Sequence, residues 1–232
     1  IGWGLGSYVF GKYKKQKKTV AELVWPVNAD KKDATRIING INLTRDLINT
    51  PANDMGPNDL VESSRKLAKT YKAKITIISG LDLVRKNYPS IHAVGRASAS
   101  KPSLIDIKWG NPKAPKVTLV GKGVCFDSGG LDIKPASGML NMKKDMGGAA
   151  QVLGLAHIIM DAKLPIRLRV LVPAVENAIS GNAFRPRDVL QTRNGLTVEV
   201  ANTDHEGRLI LSDAVSYTHL RAHETSLQLV CR

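Results

Sequence analysis

Cysteine is scarce in this sequence. Cys125 and Cys231 are the only two in 232 residues, too few and too far apart for a disulfide framework or a cysteine-based zinc site. A reducing cytosol suits that scarcity, so a soluble cytoplasmic protein is expected. Long apolar runs are also missing: none approaches the ~18–20 residues needed to cross a bilayer, and the opening residues lack the basic-then-apolar pattern of a secretory signal. Aromatic residues are few, three Trp, five Tyr and three Phe, which leaves little surface for stacking on nucleic-acid bases. Acidic residues are outnumbered, 20 against 34 Lys and Arg, for a formal charge of +14 and a pI of about 9.9. That balance suits a polyanionic partner, nucleic acid included. Much of the excess, however, sits in one tract, Lys12, Lys14, Lys15, Lys17 and Lys18 with Lys31 and Lys32 following, and a solvated basic face explains it as well.

What is present is an ordinary globular complement, 43% apolar, without repeats or low-complexity tracts. Residues 1–33 differ in kind: an aromatic and glycine-rich opening runs into the basic tract, and the segment reads as the end of a preceding domain plus a linker. Because the sequence opens on Ile1 in mid-pattern, more chain is expected before it. Over 34–49, Ile37, Ile38, Ile41, Leu43, Leu47 and Ile48 recur at helical spacing until Asn49, Thr50 and Pro51 stop the run. A second helix is predicted over 60–71, with Asn58 as its N-cap. Residues 74–79, 91–94, 104–109, 117–126 and 166–175 read as strands, bounded mostly by Gly, Pro or Asn, and 147–162 as a helix with a small-residue start. Strands alternating with helices predict an α/β fold built on a layered sheet.

Three segments concentrate acids, lysines and glycines. In 120–130 an apolar strand delivers Lys122 and then Asp127 into a glycine loop, where backbone can approach a ligand closely. In 142–150, Asp145 stands at the start of a helix. In 202–209, Asp204, Glu206 and Arg208 share parity, so an extended run would project all three from one side. Any one of these acids alone reads as a helix cap or a surface ion pair. Four carboxylates gathered from separate segments repel one another unless cations neutralise them, and hard oxygen ligands suit divalent ions. A dinuclear metal site is the economical hypothesis.

These segments, together with 44–54, 121–135 and 173–188, resemble in order, spacing and residue type the signature regions of the leucine aminopeptidase (cytosol aminopeptidase) family. The resemblance covers about residues 1–217. It implies a three-layer α/β catalytic domain, a mixed β-sheet flanked by helices, over 34–217 and a metal-dependent release of leucine-like N-terminal residues from peptides. It makes Lys122, Asp127, Asp145 and Glu206 ligands of a tighter metal, and Asp127, Asp204 and Glu206 ligands of a second, with Asp204 also offering its main-chain carbonyl. The ions would be Zn or Mn, and they would activate water as nucleophile. As an amine ligand, Lys122 would need its pKa lowered by burial and by the adjacent dications. Lys134 matches a lysine that stabilises the oxyanion, Arg208 an arginine that holds a bicarbonate acting as proton shuttle, and Met142 a residue lining the pocket for the first side chain. A homohexamer is implied for the full-length protein. Alternative readings are a nucleic-acid-binding protein, which some members of this family also are, and a catalytically dead scaffold.

His92, His157 and His205 stand singly without a partner at metal-ligand spacing, and Cys125 reads as core packing. His205 stands where the family usually has a small residue, and alternation would point it away from the metals. Arg187 stands where the family tends to have glycine, so a disturbed local turn is expected. After about Tyr217 the resemblance stops: residues 218–232 look like translated adapter sequence, His219 and His223 imitate a metal pair, and a further stretch is expected to complete the sheet and pocket. The chain by itself is therefore expected to be poorly soluble and weakly active or inactive.

Overall fold

The structure, a computed structural model, describes residues 1–14 and 21–216. Lys15, Lys17 and Lys18 of the basic tract, and the 218–232 tail with His219, His223 and Cys231, lie outside the described residues. A short helix, α1 (Gly2–Gly6), packs against α2 (Lys31–Asn49), whose start is capped by the Asp30 carboxylate accepting from the Asp33 N–H. Next come α3 (Pro57–Thr70), β1 (Lys74–Ser79), α4 (Leu81–Arg85), α5 (Pro89–Gly95), β2 (Ser103–Gly110), β3 (Lys116–Val120) and β4 (Gly123–Asp127). Then follow α6 (Ala136–Met139), a 3-10 turn at Met142–Met146, α7 (Gly147–Asp161) and β5 (Arg167–Asn177). A hairpin of β6 (Val189–Gln191) and β7 (Thr197–Glu199), a second 3-10 turn at Thr203–His205 and α8 (Glu206–Ser216) end the described chain.

The main sheet is mixed. β1 and β2 are antiparallel, β2 and β5 are antiparallel, and β5 carries β3 along its first half and β4 along its second, both parallel. Alternation sorts the two faces. Ile105, Ile107, Leu168, Val170, Val172 and Ala174 pack with apolar residues of α2, α3 and α7. Leu104, Val124 and Val175 point the other way, into a second cluster formed with α4, α5 and α8. Helices on both faces of a mixed sheet give the three layers expected, and each fully buried Leu or Ile contributes about 1.5–3 kcal/mol.

Four local expectations are corrected. Residues 91–94 are helical, within α5, because Pro89 starts a helix whose apolar side, Ile91 and Val94, faces α8. The 117–126 run is two strands, since the chain steps sideways at Gly121 and Lys122. α3 begins earlier than predicted, with Gly56 as N-cap and Pro57 at its first position, and Asp59 accepts from the Gly56 N–H at 3.0 Å. Finally, 203–206 is not extended: Asp204 lies in a 3-10 turn and Glu206 opens α8.

A buried acid that pattern reading passed over, Asp213 of α8, ties this half of the fold together. Its carboxylate accepts from the backbone N–H of Ser90 at 2.8 Å, Ile91 at 3.3 Å and Arg193 at 2.9 Å. Asp213 thus caps the start of α5 and anchors the β6–β7 hairpin. Burial pushes its pKa up, and the three N–H donors pull it back part of the way. Replacing Asp213 with Ala strands these donors, so a loss of about 2–3 kcal/mol is expected in urea unfolding. An unchanged midpoint would refute the capping role.

Arg187 has φ +69°, a left-handed conformation, while its N–H donates to the Val200 carbonyl at 2.8 Å and its guanidinium pairs with Glu199. The strain costs about 1–2 kcal/mol, and an exposed ion pair returns little of it. Arg187→Gly should therefore raise the unfolding midpoint, with a gain of about 0.5–1 kcal/mol after glycine's extra chain entropy. A lower midpoint would show that the Glu199 pair outweighs the strain.

Candidate metal centre

The carboxyl ends of the parallel strands β4 and β5, where ligands bind in open α/β sheets, meet the start of α8. Asp127 ends β4 and is 2% exposed; Glu206 is the first residue of α8 and 1% exposed. Asp204 reaches the same space from the second 3-10 turn, and carboxylate oxygens of Asp127, Asp204 and Glu206 lie within 4.8 Å of one another. Asp145, in the first 3-10 turn, joins through Lys122: the Lys122 ammonium lies 2.7 Å from Asp145 Oδ2 and 2.8 Å from Glu206 Oε1. On the other side, the Lys134 ammonium lies 3.1 Å from Asp127 Oδ2 and pairs closely with Asp204.

Five segments are thus drawn together, and backbone constraints explain how. The loop after Asp127 turns through Gly129 and Gly130 with φ of +89° and +67°, conformations that a side chain resists. The Asp127 carboxylate accepts from the Gly129 N–H at 2.9 Å, and Lys134 donates its N–H to the Ser128 carbonyl at 3.0 Å, closing the loop. Gly207 follows Glu206 because the Lys122 stem passes over it: a Cβ there would stand 2.7 Å from Lys122 Cε. Lys143 donates to the Asn49 carbonyl at 2.6 Å, so the Asp145 turn is fastened to the end of α2.

Sequence reasoning assigned no role to Asn177 or Thr203. Asn177, the buried last residue of β5, donates through Nδ2 to Asp127 Oδ1 at 2.8 Å and to the Thr203 carbonyl at 3.1 Å. Its own carbonyl accepts from the Ser128 hydroxyl at 2.7 Å. Fully buried Thr203 donates to the Gly129 carbonyl at 2.6 Å and accepts from the Asp132 N–H at 2.9 Å. The available signal for Asn177 was a polar residue ending a long apolar strand.

Electrostatically the cluster is short of positive charge, four carboxylates facing two ammonium groups. Burial, together with Asp127 and Asp145, raises the pKa of Glu206 although Lys122 opposes this. Burial lowers the pKa of Lys122, but Glu206 and Asp145 outweigh it and the net shift is upward. Lys134 follows the same pattern, raised by Asp204 and Asp127 against burial. Glu206 Oε2 is buried and has no hydrogen-bond donor.

Arg208 and Met142 are not drawn in with the others. Exposed Arg208 lines a small surface hollow with His205. Half-buried Met142 opens the turn that carries Asp145. His205 is exposed, through the helical turn and not through alternation. His157 accepts or donates at 3.0 Å with the Tyr71 hydroxyl, and Cys125 is buried, with burial pushing its thiol pKa up.

The sequence matches the profile of the cytosol aminopeptidase family, catalytic domain, over residues 42–229. It is 41% identical to a probable cytosol aminopeptidase of Roseiflexus castenholzii over 96% of this chain and 49% of that protein. Among solved structures it resembles the cytosol aminopeptidase of Coxiella burnetii, TM-score 0.90 and 56% identity, over 93% of this chain and 47% of that one. It also resembles the bottromycin maturation enzyme BotP in complex with Mn, TM-score 0.86 and 34% identity, over 94% and 48%. This chain belongs to the cytosol aminopeptidase family, whose members are hydrolases, and spans about half the length of the curated relatives it matches.

Asn177→Ala should leave the fold intact but loosen Asp127, because Oδ1 keeps the Gly129 N–H but loses its other donor. We expect divalent-ion affinity to fall about 10–100-fold, as for other residues that orient a metal ligand. Unchanged Mn affinity with a native circular dichroism spectrum would show that Asn177 does not position Asp127.

Proposed function

We propose that this chain carries the metal centre of an aminopeptidase that releases apolar, leucine-like residues from peptide N-termini. The observation that carries the reading is the convergence of Asp127, Asp145, Asp204 and Glu206 around two lysines, with one buried Glu206 oxygen lacking any donor. Oxygen donors and a single amine suit hard or borderline divalent ions, and a family relative was solved with Mn. Lys122, Asp127, Asp145 and Glu206 would hold one ion, and Asp127, Asp204 and Glu206 the other, with Zn or Mn as occupants. When bound, such ions acidify water and polarise a carbonyl.

The chain's own side chains supply the rest. Lys122 must give up its proton to act as a ligand, so ion uptake should release protons. Lys134, paired with Asp127 and Asp204, keeps its proton and can present an ammonium to a developing oxyanion. Met142, beside the Asp145 turn, would contribute to the pocket for the first side chain. A bicarbonate held by Arg208 rests on the family resemblance alone. So does the homohexamer. A cytoplasmic location draws also on the scarcity of cysteine, and the division into 1–33, 34–217 and 218–232 also on the change of composition along the chain; no described helix is long and apolar enough to cross a membrane. Nucleic acid as a partner draws support only from the charge of +14.

Equilibrium dialysis against Mn should give two ions per chain. Asp204→Ala should retain one, and Glu206→Ala, which removes a shared ligand, neither. Where the protein hydrolyses leucine-p-nitroanilide, chelation should abolish turnover and Lys134→Ala should lower kcat about 10²–10³-fold. Fewer than one ion bound, or two retained by Glu206→Ala, would sink the proposal.

A further inference from the structure

The sheet face that packs on α5 and α8 changes character along its length. Near the carboxyl end of β5 it is apolar, with Ile78, Leu104 and Val175 in the second core cluster. Toward the other end the same alternation displays cations. One row across the strands reads Lys74, Lys108, Arg169 and Thr118, each beside the next in the hydrogen-bonded register. The adjacent row reads Gly110, Arg167 and Lys116. Two residues apart along each strand, these rows share one face. Lys74, Lys108, Lys116 and Arg167 are exposed, and the residues line a cleft of about 640 Å³ that Lys72 also borders.

Like charges directly opposite on neighbouring strands are destabilising. Here Lys74 faces Lys108, Lys108 faces Arg169, and Arg167 faces Lys116. One buried carboxylate answers them: Asp106 accepts from Arg169 at 2.9 and 2.7 Å and lies 3.5 Å from Lys108. No carboxylate pairs with Lys72, Lys74, Lys116 or Arg167 among the described residues. The Arg167 guanidinium donates to the Pro112 carbonyl at 3.1 Å, which satisfies a donor but not its charge; an anion held between the rows would offset the remaining repulsion.

We propose that this cleft binds a short phosphate chain, of two or more linked phosphates. Its volume is that of a small-molecule site. Phosphate groups concentrate charge and acceptor oxygens, which several lysines and one guanidinium can share. The cleft is separate from the metal centre: it lies at Arg167, the first residue of β5, and the metal centre at Asn177, the last, about 30 Å of strand apart.

Calorimetry on the full chain after removal of divalent ions tests this, with tripolyphosphate, a nucleoside triphosphate and citrate as probes. Tripolyphosphate should bind at about 20 mM salt and weaken as salt rises. Lys74→Gln/Lys108→Gln/Lys116→Gln should weaken it about tenfold or more. Lys69→Gln/Lys86→Gln/Lys101→Gln, which removes the same charge elsewhere on the exposed surface, and Asp204→Ala should leave it within about twofold. Tighter binding of the nucleotide than of tripolyphosphate would identify a nucleotide as the source of the phosphates; equal binding would identify the phosphate chain itself. Absence of binding, citrate binding as tightly as tripolyphosphate, or equal weakening by both triple variants overturns the proposal.

Discussion

Three carboxylates within 4.8 Å of one another, with a fourth joined to them through Lys122, repel, and the rest of the structure around the site is organised by the need to hold them there. Two of the four, Asp127 and Glu206, are almost wholly buried, where water cannot screen them. Lys122 and Lys134 each bridge a pair of acids, and that is the placement a cation would take. Two ammonium groups do not balance four carboxylates. The raised pKa of Glu206 and its unpartnered oxygen are the signs of the remaining imbalance.

Holding the acids in place falls to groups with no charge of their own. Asn177 fixes one oxygen of Asp127, the Gly129 N–H shares that oxygen, and Thr203 locks the glycine loop to the turn that carries Asp204. β5 is central because it contributes both the parallel pairing that aligns β4 and the asparagine that ends the strand. A cluster that repels itself requires a stiff frame, and this one is anchored at the strand ends and the first turn of α8.

The gathering of these side chains was legible in the sequence because it involves residue types that are rare in buried positions. Lys122, Asp127, Asp145, Asp204 and Glu206 stand out among apolar and glycine residues, and the long helices α2 and α7 declare themselves by period and length. Less legible were features decided by tertiary contacts. A short stretch with three apolar residues, 91–94, fits strand or helix equally, and Asp213, distant in sequence, supplies the cap that favours the helix. Parity suggested that Asp204 and Glu206 share a side; they do meet at one site, but by turning from a 3-10 turn into α8 and not by extension. The same turn leaves Arg208 on the surface, a placement that an extended strand would have reversed. Asn177 gave only a faint signal, since its role depends on partners far away in sequence.

The two lysines of the site are not equivalent, and their surroundings suggest how each would answer a bound cation on the proposed reading. The Lys122 stem crosses Gly207 so closely that a methyl group would collide with it, which leaves the side chain little freedom to move aside. Held between Asp145 and Glu206, it can remain beside a cation only by surrendering its proton, and so it is suited to be a ligand. Lys134 rises from a loop whose neighbours Leu131, Ile133 and Pro135 are exposed, so that its side chain can swing away when Asp127 and Asp204 turn to a stronger partner. A displaced lysine that keeps its proton is what a developing oxyanion requires. On that reading, the division of labour between ligand and electrostatic catalyst would follow from which ammonium is packed in place and which is merely paired.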